Sequence, residues 1–371
     1  MKSGSTHPLF IMMAVVALGG ALLTVHQRAP ELLPWVFAAA AAGMIWRFWA
    51  VSRDDAAARG EGQVDHEALR RMRLRDYAPW IKENVRGQDA AVDLIVPAIQ
   101  RGLELARPGR SLGSFLLVGP TGTGKTFLAQ MTAMALWPEK EPVILRMNQY
   151  KDPQDLQGLL GALGGADTGS LTGAVLEDAM RVVLLDEIDK CHPDVLHGLF
   201  EALDGGRVRD RSTSKLVDFS GCVFFATCNA GAERLRALKA ADPKSFAAKS
   251  RDALVKDSGF EKAFLARFGE IVLMDALAPI HVAEIACLQI AKQWREQGIE
   301  VAYLSPELLA RAVALNAEFG EYGVRQLARC LRRLMDPLLE EARQKGTSEV
   351  SLGYDRATQA GTLLLARERP A

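Results

Sequence analysis

The chain has 371 residues, 49% of them hydrophobic and 24% charged, which suits two or three folded domains with sizeable cores. Its 45 basic and 45 acidic residues cancel, which argues against a generally basic nucleic-acid-binding protein, so no nucleic-acid partner is expected. The five cysteines (Cys191, Cys222, Cys228, Cys287, Cys330) form no C-x-x-C pair and are odd in number, so they read as reduced core thiols rather than a metal site or disulfide framework.

Two apolar runs open the chain. Leu9–Val25 carries no charge, and Leu32–Val51 is broken only by Arg47. Each can cross a hydrocarbon layer of ~30 Å at ~1.5 Å per residue, the first only just. The short His26–Glu31 connection makes them a transmembrane hairpin over residues 1–52. Trp35, Trp46 and Trp49 lie near the ends of the second run, where interfacial aromatics gather. A cleaved signal peptide is an alternative for the first run, and two buried helices of a soluble domain are another. Lys2, Arg47, Arg53 and Arg59, set against Arg28 in the connection, favour cytoplasmic termini. The expectation is a two-span protein of a bacterial inner membrane, with the lipid bilayer as a partner. Residues 53–76 form a charged linker, whose Arg70-Arg-Met-Arg-Leu-Arg75 cluster reads as a solvated helix face or a contact for anionic lipids.

An amphipathic stretch follows Asn84-Val-Arg-Gly-Gln-Asp89 and runs to about Leu105. The apolar run Ser114–Val118 then reads as a buried strand, and Phe127–Leu136 as a helix. Between them, Gly119-Pro120-Thr121-Gly122-Thr123-Gly124-Lys125-Thr126 fits the phosphate-binding pattern G-x-x-x-x-G-K-[ST] in full. Strand, Gly-rich turn and helix together point backbone N–H groups at phosphate oxygens. Lys125 is expected at the β/γ-phosphates, and the Thr126 hydroxyl on Mg²⁺. This is the signature of a bound nucleoside triphosphate.

Three more strands are predicted: Val143–Met147, Arg181–Glu187 and Gly221–Asn229. Alternation with helices implies an α/β fold with a parallel sheet and ligands at the carboxyl ends of its strands. Asp186, Glu187 and Asn229 stand at such ends. Asp186 is suited to hold Mg²⁺ opposite Thr126, and Glu187 to activate a water for attack on the γ-phosphorus. Asn229 is placed to hold that water or the γ-phosphate, although Asn229-Ala-Gly231 is also a good turn sequence. Beyond about Ala278 the pattern is mostly helical: Ser305-Pro-Glu307 starts one helix, and Gly323–Lys345 forms a long one interrupted by Pro337.

These segments together resemble an AAA+ ATPase of the Clp/Hsp100 group, most closely the second ATPase module of ClpA/ClpB. The likeness runs from Val85-Arg-Gly-Gln88 and the phosphate loop through Leu184-Leu-Asp-Glu-Ile-Asp-Lys-Cys-His-Pro-Asp194. Leu203-Asp-Gly-Gly-Arg-Val-Arg-Asp210, Val217-Asp-Phe219 and Ala226-Thr-Cys-Asn-Ala-Gly231 continue it, and in all it covers roughly residues 65–355. The resemblance implies ATP and Mg²⁺ as cofactors, a P-loop AAA+ large domain over residues 77–277 and a small helical lid over 278–371. It places Gly87 and Gln88 near the adenine and Asn229 at the sensor-1 position. By the same likeness, Arg267 in Phe264-Leu-Ala-Arg-Phe-Gly-Glu-Ile-Val272 is the arginine finger, and Arg325 in Gly323-Val-Arg325 the sensor-2 residue. A finger that projects into a neighbour's site implies a homo-oligomeric ring, hexameric as is usual in this group.

The chain departs from that group in three ways. No Phe, Tyr or Trp occurs from Lys151 through Leu199, where the group carries a substrate-gripping aromatic, so Leu163 is the apolar tip that remains. The stretch Ala230–Phe260 lacks the I-G-[FL] tripeptide of protease-coupled members, so a ClpP-type peptidase partner is not expected. The substrate-recruiting domain and first ATPase module are replaced by the apolar hairpin. The leading expectation is a membrane-anchored ATPase that remodels or disassembles proteins at the cytoplasmic face. The alternative is a nucleotide-state switch or scaffold for a membrane complex. A torsin-like reading is weighed against by Arg267 and the unpaired cysteines.

Overall fold

The computed structural model describes residues 64–165, 167–318, 323–355, 357–358 and 360–364. The predicted hairpin over residues 1–52 lies outside them. Among the described residues no helix is long and apolar enough to cross a membrane. The inner-membrane localisation expected from the sequence is corrected on that ground, and nothing among the described residues shows the expected lipid partner.

Among the described residues, helices α1 (His66–Arg71), α2 (Ala78–Asn84) and α3 (Asp89–Glu104) precede strand β1 (Gly113–Val118). Helix α3 buries Val92, Ile95, Val96, Ile99 and Leu103, a single face at helical spacing, against the sheet. Helix α4 (Lys125–Leu136), β2 (Val143–Arg146), the short α5 (Leu156–Leu160) and α6 (Ser170–Glu177) lead to β3 (Val182–Asp186). Helices α7 (Pro193–Gly198) and α8 (Phe200–Leu203) follow, then the hairpin of β4 (Arg207–Arg209) and β5 (Leu216–Asp218). Strand β6 (Val223–Cys228) is followed by α9 (Ala232–Ala241), α10 (Phe246–Ser258), α11 (Lys262–Leu265) and β7 (Glu270–Leu273).

The main sheet has the order β2-β3-β6-β1-β7, and every pairing in it is parallel. Its central strands are buried on both faces, so they read as continuous apolar runs rather than alternating ones. The register pairs Val118 of β1 with Cys228 of β6, and Leu185 of β3 with Ala226 of β6. The carboxyl ends of β1, β3 and β6 therefore lie side by side. The predicted strands are all present, and the edge strand β7 adds a fifth.

The C-terminal part departs from the helical lid expected. Helices α12 (Pro279–Arg295), α13 (Pro306–Glu318) and α14 (Gly323–Gln344) are joined by a three-stranded sheet, β8 (Glu300–Leu304), β9 (Glu349–Asp355) and β10 (Ala360–Leu363). A separate core forms around Trp294, Leu308, Leu331, Met335 and Leu352. These strands were not anticipated, although Val350, Leu352 and Tyr354 alternate along β9 with the period of a strand. Ser305 caps α13 as expected, its Oγ accepting from Leu308 N at 3.2 Å, with Pro306 in the first turn. Pro337 does not interrupt α14. Both Pro337 and Arg333 are exposed, so water can take the carbonyl that proline leaves without a helical donor.

Candidate functional site

The phosphate-loop motif spans the turn from β1 into α4. Gly119 N donates to Cys228 O (3.2 Å), which ties the loop to the end of β6. Gly124 holds φ +90° at the N-cap of α4, a left-handed conformation that side chains resist. Lys125 is buried, and its Nζ donates to Gly119 O (2.6 Å), Pro120 O (2.8 Å) and Asn229 Oδ1 (2.8 Å). The ammonium is therefore poised over the loop, and Asn229 faces it from the end of β6.

Asp186 and Glu187 end β3 beside this loop. Thr126 Oγ1 donates to Asp186 Oδ1 at 3.3 Å, which joins the two residues expected at a metal. Thr227 Oγ1 donates to the same oxygen at 2.6 Å and accepts from Glu187 N at 2.8 Å. Glu187 adopts φ +59°, a left-handed conformation that costs a non-glycine residue about 1–2 kcal/mol. Asn148 Nδ2 donates to Glu187 Oε2 at 2.8 Å and so aims the carboxylate. Lys125, Thr126, Asp186, Glu187 and Asn229 thus converge at one end of the sheet.

Sequence reasoning missed Asn148 and Thr227. The signal for Asn148 was its place just past β2, at a strand carboxyl end like the others. For Thr227 it was a hydroxyl in an otherwise apolar strand, 1% exposed. Cys228, at the carboxyl end of β6, and Cys222, before its amino end, are both free and buried, and burial pushes both thiols up to about 12.

Gly87 and Gln88, expected near the adenine, lie beside the loop. Gln88 Nε2 donates to Thr123 O (3.2 Å) and Asp275 O (2.9 Å), linking the segment before α3 to the loop. Gly87, at φ +75°, packs against the ring of His281 in the first turn of α12, and a Cβ there would fall 2.5 Å from His281 Nδ1.

Arg267 lies elsewhere. Its carbonyl accepts from Ser114 Oγ at 2.8 Å, at the amino end of β1. Ser114 lies five residue steps before Gly119, about 16 Å at the usual rise, so Arg267 is remote from its own chain's phosphate loop. It shares a cleft with Arg101, Arg110 and Asp204. Arg325 falls in the first turn of α14; its side chain is outside the described ones.

The loop expected to face substrate presents Leu163, at 86% the most exposed large apolar residue among the described ones. The loop is held at its base. Arg211 N donates to Leu160 O (2.8 Å), and the fully buried Asp210 accepts from Gly169 N (3.0 Å), Thr172 Oγ1 (2.5 Å), Ser212 Oγ (2.7 Å) and Thr213 N (2.9 Å). Burial alone would raise this carboxyl's pKa, but the hydrogen bonds from Thr172, Thr213, Ser212 and Gly169 outweigh it and hold it well below the usual carboxylate range. An Asp210→Asn protein turns an amide against these donors and loses about 2–3 kcal/mol of stability at neutral pH, measurable by urea unfolding. Because the folded pKa is depressed, this contribution is complete above the unfolded value and fades as the pH falls below about 4. The two unfolding curves should converge in acid.

Comparison with known proteins bears on the described unit. Residues 110–271 match the family model described as "AAA domain (Cdc48 subfamily)". The chain is 33% identical over 281 residues to "Chaperone protein ClpB 2" of Thermosynechococcus vestitus, covering 73% of this chain and 31% of that protein. It is 33% identical over 285 residues to "Negative regulator of genetic competence ClpC/MecB" of Bacillus subtilis, covering 72% of this chain and 34% of that one. The chain thus spans about a third of the length of the curated relatives it matches. A solved structure titled "Closed State CryoEM Reconstruction of Hsp104:ATPyS and FITC casein" superposes with a TM-score of 0.65 at 23% identity, over 78% of this chain and 52% of that one, and shows the shared fold.

Proposed function

Because this chain carries an AAA+ ATPase domain of the Clp/Hsp100 type, we propose that it couples ATP hydrolysis to the remodelling of protein substrates. The observation that carries the reading is the convergence of Lys125, Thr126, Asp186, Glu187 and Asn229 at the carboxyl ends of β1, β3 and β6. The backbone of Gly119–Gly124 would cradle the phosphates, with Lys125 exchanging its carbonyl partners for β/γ oxygens. The hydroxyl of Thr126 and the carboxylate of Asp186 are adjoining hard oxygen donors and would hold Mg²⁺, whose charge offsets that of the phosphate oxygens. Glu187, aimed by Asn148, would accept the proton of the attacking water as its oxygen bonds to the γ-phosphorus and the bond from that phosphorus to the bridging oxygen breaks, with ADP as the leaving group. Asn229 fixes that water or the γ-phosphate, and Gly87 and Gln88 border the base.

We also propose residues 77–277 as the catalytic module and 278–371 as a lid, with Arg325 reaching the phosphates from α14. Arg267, remote from its own phosphate loop, acts in a neighbouring subunit's site, so the working form is a homo-oligomeric ring, hexameric as is usual in the group. The missing I-G-[FL] tripeptide leaves no reason to invoke a ClpP-type peptidase.

A second reading, a nucleotide-state switch without polypeptide threading, is favoured by one feature: the substrate-facing loop offers Leu163 and no aromatic. Leu163→Asp separates the two. If the protein works on polypeptide, the variant keeps its basal ATP turnover but loses, by at least about tenfold, the acceleration that an unfolded polypeptide produces. An unfolded polypeptide that never alters turnover, in either protein, leaves the switch.

A further inference from the structure

The segment that carries Arg267 is held by the helices that follow the acidic strand end. His197 Nε2 lies 3.0 Å from Glu261 Oε2. Phe200 stacks on Phe264 with ring centroids 5.9 Å apart. Asp204 accepts a hydrogen bond from Arg267 Nη1. The contacts step through residues 197, 200 and 204 on α7–α8 and its end, and through 261, 264 and 267 on the facing segment, so each side presents a single helical face.

At the last contact the guanidinium is fixed twice. Its edge meets the Asp204 carboxylate, and its plane lies over the Phe200 ring, 5.1 Å from the centroid. Asp204 is itself anchored: its N–H donates to Phe200 O (3.1 Å), and its carbonyl accepts from Ser111 N (3.2 Å). The Arg267 side chain is still 37% exposed, and Asp204 is 44% exposed. An ion pair this exposed adds little to folding stability. Its effect is instead to restrict a long, many-rotamer side chain before it meets a ligand.

We propose that Asp204, at the end of the short helix α8 that Phe200 begins, is a positioning residue for Arg267. It presets the guanidinium so that the remaining edge of the fork is presented to the γ-phosphate of a nucleotide bound by the adjoining subunit. Presentation of the finger then depends on α7–α8, which begins just after Asp186 and Glu187 of the same chain. This rests on the reading of Arg267 as a residue acting in the neighbour's site.

The test is steady-state ATP hydrolysis by the assembled full chain, with kcat and KM measured separately and thermal melting alongside. Asp204→Asn should lower kcat about tenfold, leave KM for ATP within about twofold and leave the melting temperature in place. Asp204→Glu should recover part of the loss. In an Arg267→Ala background, Asp204→Asn should change nothing further, because the side chain it positions is gone. Normal or raised kcat in Asp204→Asn, with Arg267→Ala impaired, overturns the positioning role while the trans reading stands. Losses that multiply in the double variant overturn it too. An unimpaired Arg267→Ala removes the trans reading itself, and this proposal with it. Should Asp204→Asn fail to fold, Phe200→Leu keeps the apolar volume, removes the stacking face and must show the same kcat loss and the same silence behind Arg267→Ala.

Discussion

Replacing Glu187 by glutamine lowers ATP turnover by about 10²–10⁴-fold and leaves ATP binding intact. The substitution is nearly isosteric. A glutamine oxygen can still accept from Asn148 Nδ2, which reaches Glu187 Oε2 at 2.8 Å. The left-handed backbone at φ +59° and the hydrogen bond from its N–H to Thr227 are set by the main chain and are not touched by the change. The phosphate loop, Lys125 and the Thr126–Asp186 pair also remain. What disappears is the basicity that takes a proton from water. Phosphate release and the affinity of a fluorescent ATP analogue, measured on the same preparation, check the two halves. Turnover at the wild-type rate would remove Glu187 from the chemistry; lost binding would mean that it holds the loop rather than the water.

Mixing two inactive proteins restores hydrolysis. Lys125→Ala subunits lack the ammonium that faces Asn229 over the loop and should fail to turn over ATP. Arg267→Ala subunits keep that loop and lose about 10³-fold in kcat if the arginine completes a neighbour's site. In a head-to-tail ring built from equal amounts of both, about a quarter of the interfaces pair an intact Lys125 with an intact Arg267. Turnover should therefore rise to roughly a quarter of the wild-type rate per subunit, dependent on subunit exchange. The geometry motivates this: the anchor of Arg267 at Ser114 lies at the amino end of β1, whereas the phosphate loop leaves its carboxyl end. Proven co-assembly without any recovery would place Arg267 outside the shared site.

Much of the catalytic end was readable from residues alone. The phosphate loop has fixed spacing, and Asp186, Glu187 and Asn229 each close an apolar run that can only be a buried strand. Asn148 and Thr227 were not readable in this way. A lone asparagine after a short strand and a threonine inside an apolar one are weak local signals that do not name a partner. Their roles exist only because β2, β3 and β6 lie in register and bring Asn148 and Thr227 to the Glu187 side chain and backbone. The clamp on Asp210 is similar: its donors come from Gly169, Thr172, Ser212 and Thr213, two segments about forty residues apart in sequence. The small C-terminal sheet was missed because β8 follows a helix with only a few residues between, within a stretch whose dominant pattern is helical.

The sequence by itself determined the phosphate loop, the acidic strand end and the alternation that makes a parallel sheet, because each depends on neighbours along the chain and on local backbone preference. The tertiary structure decided which of these residues meet. Strand order β2-β3-β6-β1-β7 places Lys125 against Asn229 and Thr126 against Asp186, and it sends Arg267 to the opposite end of β1. Side-chain hydrogen bonds act over about 3 Å, so proximity in space and not order in sequence selects the partners of Glu187, Asp210 and Arg267.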